Sequence, residues 1–199
     1  MADKMDKYIE IKNLSKSFDE TKVLINLNLN IKKNCISCIM GPSGTGKTTL
    51  VNIMMGLIEA DSGEINGINP NSIGVVFQED RLIEHLNAVE NIYVVNNKTQ
   101  SRENIISQLN FLGLNKEDIE KPVKNLSGGM RRRVCIIRAI LFECETIIMD
   151  EPFKGLDDSL KKKVINHLVN NRKGRTILVI THDLNEAKEL NAEIIDFTR

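Results

Sequence analysis

Long apolar runs are missing from this sequence of 199 residues. No stretch approaches the roughly 20 consecutive apolar residues that a membrane-spanning helix needs. The charged start MADKMDKYIE also lacks the apolar region of a secretory signal peptide. We therefore expect a chain that stays in the cytosol.

Cysteine is scarce as well. The four cysteines are too few for a disulfide scaffold in a chain of this length. Cys35 and Cys38 have a suggestive spacing, but they lie in the apolar run CISCIM, where an offset of three residues sends two side chains to opposite faces of a strand. We expect the cysteines to be small buried residues rather than metal ligands.

Neither sign of charge is in excess, because 27 Lys and Arg residues balance 27 Asp and Glu residues. A net charge of zero argues against the broad basic surface of a dedicated nucleic-acid-binding protein. Hydrophobic residues make up 41% of the chain, which is enough for a core and excludes a disordered chain. Because internal repeats and linkers rich in Pro, Gly or Ser are absent, the sequence predicts one domain over residues 1–199.

The hydrophobic pattern predicts an α/β fold with two kinds of sheet. The segments YIEIKNL and VLINLNLNI alternate in polarity, which predicts an antiparallel β subdomain with a turn at SKSFDETK. Later strands alternate with helices, which predicts a mostly parallel sheet; these strands are CISCIM, IGVVF, TIIMD, TILVI and AEIIDF. The stretch ADSGE is predicted to be a turn. Helical signals between about 80 and 130, among them Ser101 as an N-cap, predict a helical lobe.

A phosphate-binding loop carries the strongest signal. The run GPSGTGKT matches the pattern G-x-x-x-x-G-K-[ST] and lies between an apolar strand and an amphipathic helix. Its glycines let the backbone wrap around phosphates with the N–H groups pointing inward, and a helix that begins near Gly46 adds its positive dipole end. Lys47 is predicted to reach the terminal phosphates, and Thr48 to ligate Mg²⁺. The predicted nucleotide-binding residues here are Gly41, Pro42, Ser43, Gly44, Thr45, Gly46, Lys47, Thr48 and Thr49.

The loop alone does not identify the reaction, since kinases, GTPases and motor ATPases share it. The apolar strand TIIMD ends in Asp150, at the edge where ligands of parallel sheets collect, so Asp150 is predicted to hold Mg²⁺ through water. Glu151 is predicted to orient or deprotonate the attacking water. Alternatively, both carboxylates only cap the helix that starts near Asp157. Adenine is favoured as the base of the nucleotide.

Three further segments, LSGGM with the following RRRVCIIRAI and then TIIMDEPFKGLD, resemble the signature motif, Walker B strand and D-loop of ATP-binding cassette (ABC) ATPases. With the phosphate-binding (Walker A) loop, Gln78 in VVFQED and His182 in VITHD, the resemblance covers Tyr8 to about Phe197 in the family's order. It implies the ABC ATPase fold, with ATP and Mg²⁺ as ligands. It also implies an ATPase that converts ATP to ADP and phosphate.

The resemblance implies roles for single residues as well. Ser127, Gly128 and Gly129 open a helix and can form an anion site, although they can also be only an N-cap and turn. In the family this site acts on the nucleotide of a second subunit in a head-to-tail dimer. Gln78 is implied to touch Mg²⁺ or the attacking water, and His182 to donate a hydrogen bond to the γ-phosphate.

Together, these inferences assign the predicted site residues to catalysis, to metal binding and to contact with the adenine. The predicted catalytic residues are Glu151, His182, Gln78 and Lys47, and the predicted metal ligands are Thr48, Gln78 and Asp150. Phe18 resembles the aromatic residue that stacks on adenine; it can equally pack into the core, and Tyr8 is a competing aromatic.

The sequence departs from the family pattern at several positions, which are Asn34, Met130, Cys135, Ile137 and Lys154. Asn34 stands where a glycine is usual, and because Asn tolerates the left-handed conformation, the turn is expected to survive. Lys154 replaces a small residue of the D-loop, which leaves communication between subunits open. The run of three arginines that follows Met130 is interpreted as a solvated helix face with contacts in a dimer.

The partners are implied by the resemblance too. We expect a separate membrane permease, a second ATPase subunit in a homodimer, an indirect role for an extracytoplasmic solute-binding protein, no nucleic acid, and a location on the cytoplasmic face of the membrane. The apolar residues Leu82, Ile83 and Leu86 are predicted to line the permease groove, with lobe core as the alternative.

Short sequence segments and the end of the chain give expectations about the importer subgroup and about regulation. VFQEDRL, LSGGMRRRV and DEPFKGLD are most similar to importers of nitrate, sulfonate or taurine. The chain ends soon after IIDF, so no regulatory C-terminal domain is expected. The alternative function is a soluble ABC ATPase that acts on ribosomes or nucleic acid. That alternative predicts tandem cassettes or a coiled-coil insertion, and the sequence contains neither.

Overall fold

The computed structural model describes residues 7–96 and 99–197. Strands and helices alternate through most of this range, as the hydrophobic pattern predicts. The strands are β1 (Tyr8–Phe18), β2 (Thr21–Lys32), β3 (Ile36–Met40), β4 (Ser62–Asn66), β5 (Ile73–Val76), β6 (Thr146–Asp150), β7 (Thr176–Ile180) and β8 (Glu193–Asp196). The α-helices are α1 (Lys47–Met54), α2 (Ala88–Val95), α3 (Arg102–Phe111), α4 (Lys116–Glu120), α5 (Gly128–Leu141), α6 (Asp158–Asn170) and α7 (Leu184–Glu189).

The antiparallel subdomain has three strands in the order β2-β1-β4. Strands β1 and β2 form a hairpin in which Phe18 pairs with Thr21, so the turn is shorter than SKSFDETK predicts. The prediction of a turn at ADSGE is wrong, because β4 begins inside it at Ser62 and pairs with β1. Strand β4 is held by backbone hydrogen bonds to the free edge of β1, and a short polar sequence does not indicate such bonds.

The second sheet has five strands in the order β5-β6-β7-β3-β8, and each pair is parallel. Its central strands are buried on both faces, which explains their continuous apolar runs. Ile147 and Met149 of β6 face the core shared with the helical lobe, whereas Ile148 faces the core shared with the antiparallel subdomain. The sheet is therefore the middle layer between two hydrophobic cores.

The predicted helical lobe is present as α2, α3 and α4, together with the start of α5. The side chain of Ser101 accepts a hydrogen bond from the backbone N–H of Asn104, which confirms Ser101 as an N-cap. Asn87 and Glu90 form a reciprocal capping box at the start of α2. Helix α5 packs against α2, α3 and strand β5, and so connects the lobe to the parallel sheet.

The four cysteines are free thiols. Cys38 and Cys135 are buried as predicted, and burial raises the pKa of each thiol to about 12. Cys35 and Cys144 are half-buried, so the prediction of burial holds for only part of the set. Among the described residues, no helix has both the length and the apolar character that crossing a membrane requires.

Candidate functional site

The phosphate-binding loop connects β3 to α1. Gly44 and Gly46 have φ values of 80° and 97°, in the region that disfavours side chains. At Gly46 a Cβ atom would also lie 2.8 Å from Cδ2 of Leu24, so the position requires glycine on two grounds. Gly46 is the N-cap of α1, which confirms the predicted start of that helix.

Lys47 is held by the loop that it follows. Its Nζ donates hydrogen bonds to the backbone oxygens of Gly41 and Pro42, each at 2.7 Å. Thr45 donates its hydroxyl to the same Pro42 oxygen at 3.0 Å. The ammonium group is thus placed inside the curve of the loop, beside a helix N-terminus, and this combination suits a chain of phosphates.

Thr48 and Asp150 meet across the site. The Thr48 hydroxyl donates to Oδ2 of Asp150 at 3.1 Å, and Asp150 is buried at the carboxyl end of β6. Burial raises the pKa of Asp150 above its ordinary value, while the hydrogen bond from Thr48 acts in the opposite direction. A hydroxyl and a carboxylate are oxygen ligands of the type that Mg²⁺ prefers, so these two residues fit the predicted metal.

Glu151 turns away from the strand that precedes it, with φ at 47°. Its backbone N–H donates to the oxygen of Ile180 at the end of β7, and its Oε1 lies 2.9 Å from Nδ1 of His182. The hydrogen bond and the negative charge of Glu151 raise the pKa of His182. The interpretation of Asp150 and Glu151 as helix caps is wrong, because Asp157 caps α6.

One cavity of about 400 Å³ joins the predicted groups. Its polar lining comes from the Walker A loop, from Gln78 after β5, and from the end of β6. The lining residues that the sequence predicts are Ser43, Gly44, Gly46, Lys47, Thr48, Thr49, Gln78, Asp150 and Glu151. Val23 and Ile180 also line it, and sequence reasoning missed both, since apolar strand residues carry no signal of their own for a site.

The signature residues do not line this cavity. Ser127 accepts a hydrogen bond from the N–H of Met130 at 3.3 Å, so it is the N-cap of α5. Ser127 and Gly128 are exposed at the helix N-terminus. Their role as an anion site for a second subunit stays a prediction.

Phe18 lies at the end of the β1–β2 hairpin, and its side chain is 46% exposed. The alternative in which it packs into the core is therefore wrong. Lys16 places its Nζ 5.5 Å from the centre of the Phe18 ring. Tyr8, the competing aromatic, lies at the opposite end of the same strand of 11 residues. Stacking of Phe18 on adenine stays a prediction.

One departure from the family pattern, Asn34, and the run of three arginines each have a clear structural outcome. Asn34 has φ at 58°, which confirms that the turn survives with Asn in the left-handed conformation. The interpretation of the arginine run as a solvated face is wrong for Arg132 and Arg133, which are 7% and 9% exposed. Arg132 points to the segment that follows β5, and a run of like charges gives no hint of such a burial.

Comparison with known proteins places this geometry in a family. The family described as ABC transporter matches residues 24–154. The spermidine/putrescine import ATP-binding protein PotA of Borreliella afzelii is 35% identical over 205 residues, which cover 94% of this chain and 59% of PotA. The sulfate/thiosulfate import ATP-binding protein CysA of Neisseria meningitidis is 33% identical over 207 residues, which cover 94% of this chain and 58% of CysA. The chain thus spans little more than half the length of these relatives.

Solved structures agree with this assignment. Two dimeric structures of the ABC transporter cassette MJ0796, one of them in a post-hydrolysis state bound to ADP and Pi, match with TM-scores of 0.82 and 0.81 at 32% identity. Each match covers 94% of this chain and 93% of the solved chain. The likeness to importers of nitrate, sulfonate or taurine stays a prediction. The chain belongs to the ABC transporter family and has the fold of its ATP-binding cassettes.

Proposed function

We propose that this chain binds ATP with Mg²⁺ and hydrolyses ATP to ADP and phosphate. The observation that carries the proposal is the single cavity in which the Walker A loop, Gln78 and the carboxylates of Asp150 and Glu151 meet. Its lining offers a cation and backbone amides for phosphates, oxygen ligands for a metal, and a carboxylate for water. The post-hydrolysis state with ADP and Pi that is known for MJ0796 supports the same reaction.

Each residue then has a defined task. Lys47 is held within the phosphate loop, where its charge-assisted hydrogen bonds can pass from the Gly41 and Pro42 oxygens to phosphate oxygens. Thr48 and Asp150 would hold Mg²⁺, which neutralises charge on the phosphates when it is bound. Glu151 orients the attacking water and accepts its proton, while the contact with His182 holds the carboxylate in place.

The experiment is a phosphate-release assay on the purified chain with ATP or GTP, in the presence of Mg²⁺ or of a chelator. We expect release from ATP that depends on Mg²⁺, with GTP a poorer substrate. Binding of ATP is measured in parallel by calorimetry. A chain that neither binds ATP nor releases phosphate would overturn the proposal.

We further propose that ATP hydrolysis by two copies of this chain powers solute import through a separate membrane permease. Two relatives are named as import ATP-binding proteins, and MJ0796 is dimeric in its solved structures. The exposed N-terminus of α5, with Ser127 and Gly128, is available to a second copy. In this proposal the chain acts as one domain on the cytoplasmic face of the membrane, ATP binding closes the dimer, and hydrolysis reopens it.

The proposed permease contact lies in the segment after Gln78. Leu82 packs partly against the core, so it serves the lobe as well as any groove. Ile83 is 38% exposed and Leu86 is half-buried. A photo-crosslinking amino acid at Ile83 should capture the permease, whereas the same group at exposed Phe111 should not. Crosslinks from Phe111 alone would reject this groove.

A further inference from the structure

A single buried guanidinium holds the segment that follows β5. Nη1 of Arg132 donates to the backbone oxygen of Phe77, and Nη2 donates to the backbone oxygen of Gln78, each at 2.5 Å. Nε of the same side chain lies 3.4 Å from Oδ1 of Asp80. Phe77, Gln78 and Asp80 are therefore all in contact with one rigid, planar guanidinium group.

The two carbonyl groups belong to the two peptide units on either side of the Gln78 Cα atom. Because a peptide unit is planar, fixing both units leaves little freedom in the φ and ψ angles of the residue between them. The backbone angles in turn decide which rotamers the side chain can adopt. The Gln78 side chain belongs to the lining of the cavity that also contains Asp150 and Glu151. Arg132 itself is absent from the lining of this cavity.

We infer that Arg132 is a positioning residue for the ATPase site: it fixes the two peptide units of Gln78 and so aims the Gln78 side chain into the catalytic cavity. The inference deepens the proposed function and rests on it. Arg132 acts through Gln78 and touches neither nucleotide nor metal in this role. The planar fork is essential to it, because its N–H donors have fixed directions, whereas the donors of an ammonium group rotate freely at the end of a flexible side chain.

The neighbouring arginine provides a matched control. Arg131 is more exposed, and it bonds Oδ2 of Asp80 at 3.3 Å and the backbone oxygen of Leu126 at 2.9 Å. It donates to neither carbonyl group of Phe77 or Gln78. Substitution of Arg131 therefore removes a charge from the same helix and the same Asp80 contact without releasing Gln78.

The test is a double-mutant cycle on ATP turnover with Arg132→Gln, Gln78→Ala and the combined variant. Misplacement of a catalytic group typically costs a large factor, so we expect kcat to fall by about 10- to 100-fold in Arg132→Gln. KM for ATP should change by less than about threefold, because Lys47 and the loop still bind the phosphates. In the Gln78→Ala background, Arg132→Gln should add less than about a twofold loss. Arg131→Gln should stay within about twofold of the wild type, since Arg131 bonds neither peptide unit of Gln78 and its partly exposed ion pair contributes little.

A second readout needs no nucleotide. Hydrogen exchange of the backbone amides over residues 77–80 should speed up in Arg132→Gln and not in Arg131→Gln, because only the first variant releases the segment. Arg132→Lys, which retains the charge but not the fork, should behave like Arg132→Gln in both readouts. Thermal unfolding shows which variants retain the fold.

The outcomes separate this inference from the proposed function. An inactive wild type that fails to bind ATP would remove the proposed function, whatever Arg132 does. An active wild type with unchanged turnover in both Arg132 variants would overturn the inference alone. An equal loss from Arg132→Gln with and without Gln78 would also overturn it, and so would a failure of both Arg132 variants to fold, because either result assigns Arg132 to general stability.

Discussion

Nδ1 of His182 lies 2.9 Å from Oε1 of Glu151, and this contact joins the residues that follow two neighbouring parallel strands. The His182 side chain is largely exposed, whereas that of Glu151 is mostly covered. The backbone N–H of Glu151 also bonds to Ile180, two residues before His182. The carboxylate is thus held from the side of β7, at the carboxyl ends of the strands, where ligands of open α/β sheets bind.

Replacement of Glu151 by Gln should strongly lower turnover while ATP binding remains. Glutamine preserves the size of the side chain but does not accept a proton, and a positioned base is worth on the order of 10²-fold or more. Steady-state phosphate release and calorimetric ATP binding measure the two properties. Exposed Glu143→Gln serves as the control for loss of one negative charge. Normal turnover in Glu151→Gln would remove Glu151 from its role.

Replacement of Lys47 by Ala should weaken nucleotide binding and hydrolysis together. A charged hydrogen bond contributes about 1.5–3 kcal/mol, so ATP affinity should fall by about 10- to 100-fold. Because Lys47 now bonds the oxygens of Gly41 and Pro42, the loop itself also loses a support. Calorimetry on Lys47→Ala and on exposed Lys116→Ala compares the two losses. Equal affinity in the two variants would contradict the role of Lys47.

Replacement of Arg175 by Leu should destabilise the fold without reaching the site. The buried guanidinium donates hydrogen bonds to the backbone oxygens of Ile140, Phe142, Asn171 and Arg172, at the ends of α5 and α6. Leaving buried acceptors without this donor should lower the free energy of unfolding by about 2–4 kcal/mol. Urea unfolding measures the change, and Arg172→Leu, which retains its backbone oxygen, is the control. A loss in Arg175→Leu no larger than in Arg172→Leu would be inconsistent with this capping.

Acidification should destabilise the protein through His167. The centroids of the His167 and Phe111 rings are 5.0 Å apart, and Lys163 lies over the Phe111 ring. Nδ1 of His167 is 3.4 Å from the side-chain amide nitrogen of Asn171. Burial lowers the pKa of His167 below its ordinary value of 6.5. Just below about pH 6.5, His167 therefore binds a proton more readily in the unfolded chain than in the folded one. The free energy of unfolding consequently falls as the pH drops below about 6.5.

The measurement is urea unfolding from about pH 7 to about pH 5 for the wild type, His167→Phe and exposed His85→Gln. Carboxylates lower the stability of all three proteins in acid, so the comparison rests on the difference between them. His167→Phe should lose less unfolding free energy than the wild type over this range, and His85→Gln should lose the same amount. Parallel curves for the wild type and His167→Phe would show that His167 does not contribute.

Local sequence was sufficient for the parts of the site that depend on neighbours in the chain. The Walker A loop needs glycines at Gly44 and Gly46 because of their φ values, and the strand and helix that flank them are visible in the hydrophobic pattern. The N-cap at Ser101 in the helical lobe also follows from a short-range hydrogen bond, whereas the cap at Asp157 was not predicted. Strand β4 escaped prediction because its hydrogen bonds go to a strand about fifty residues earlier in the chain.

The sequence by itself determined the residue types of the phosphate loop, the carboxylates at the end of β6, and the alternation of strands and helices. Only the tertiary structure decided that β6 and β7 lie between β5 and β3, which brings Gln78, Asp150 and Lys47 to one cavity. It also decided that Arg132 and Arg175 are buried on backbone carbonyl groups. The reason is physical: a motif expresses what a few adjacent residues require, whereas strand order and the partners of a long side chain depend on how distant segments share one core.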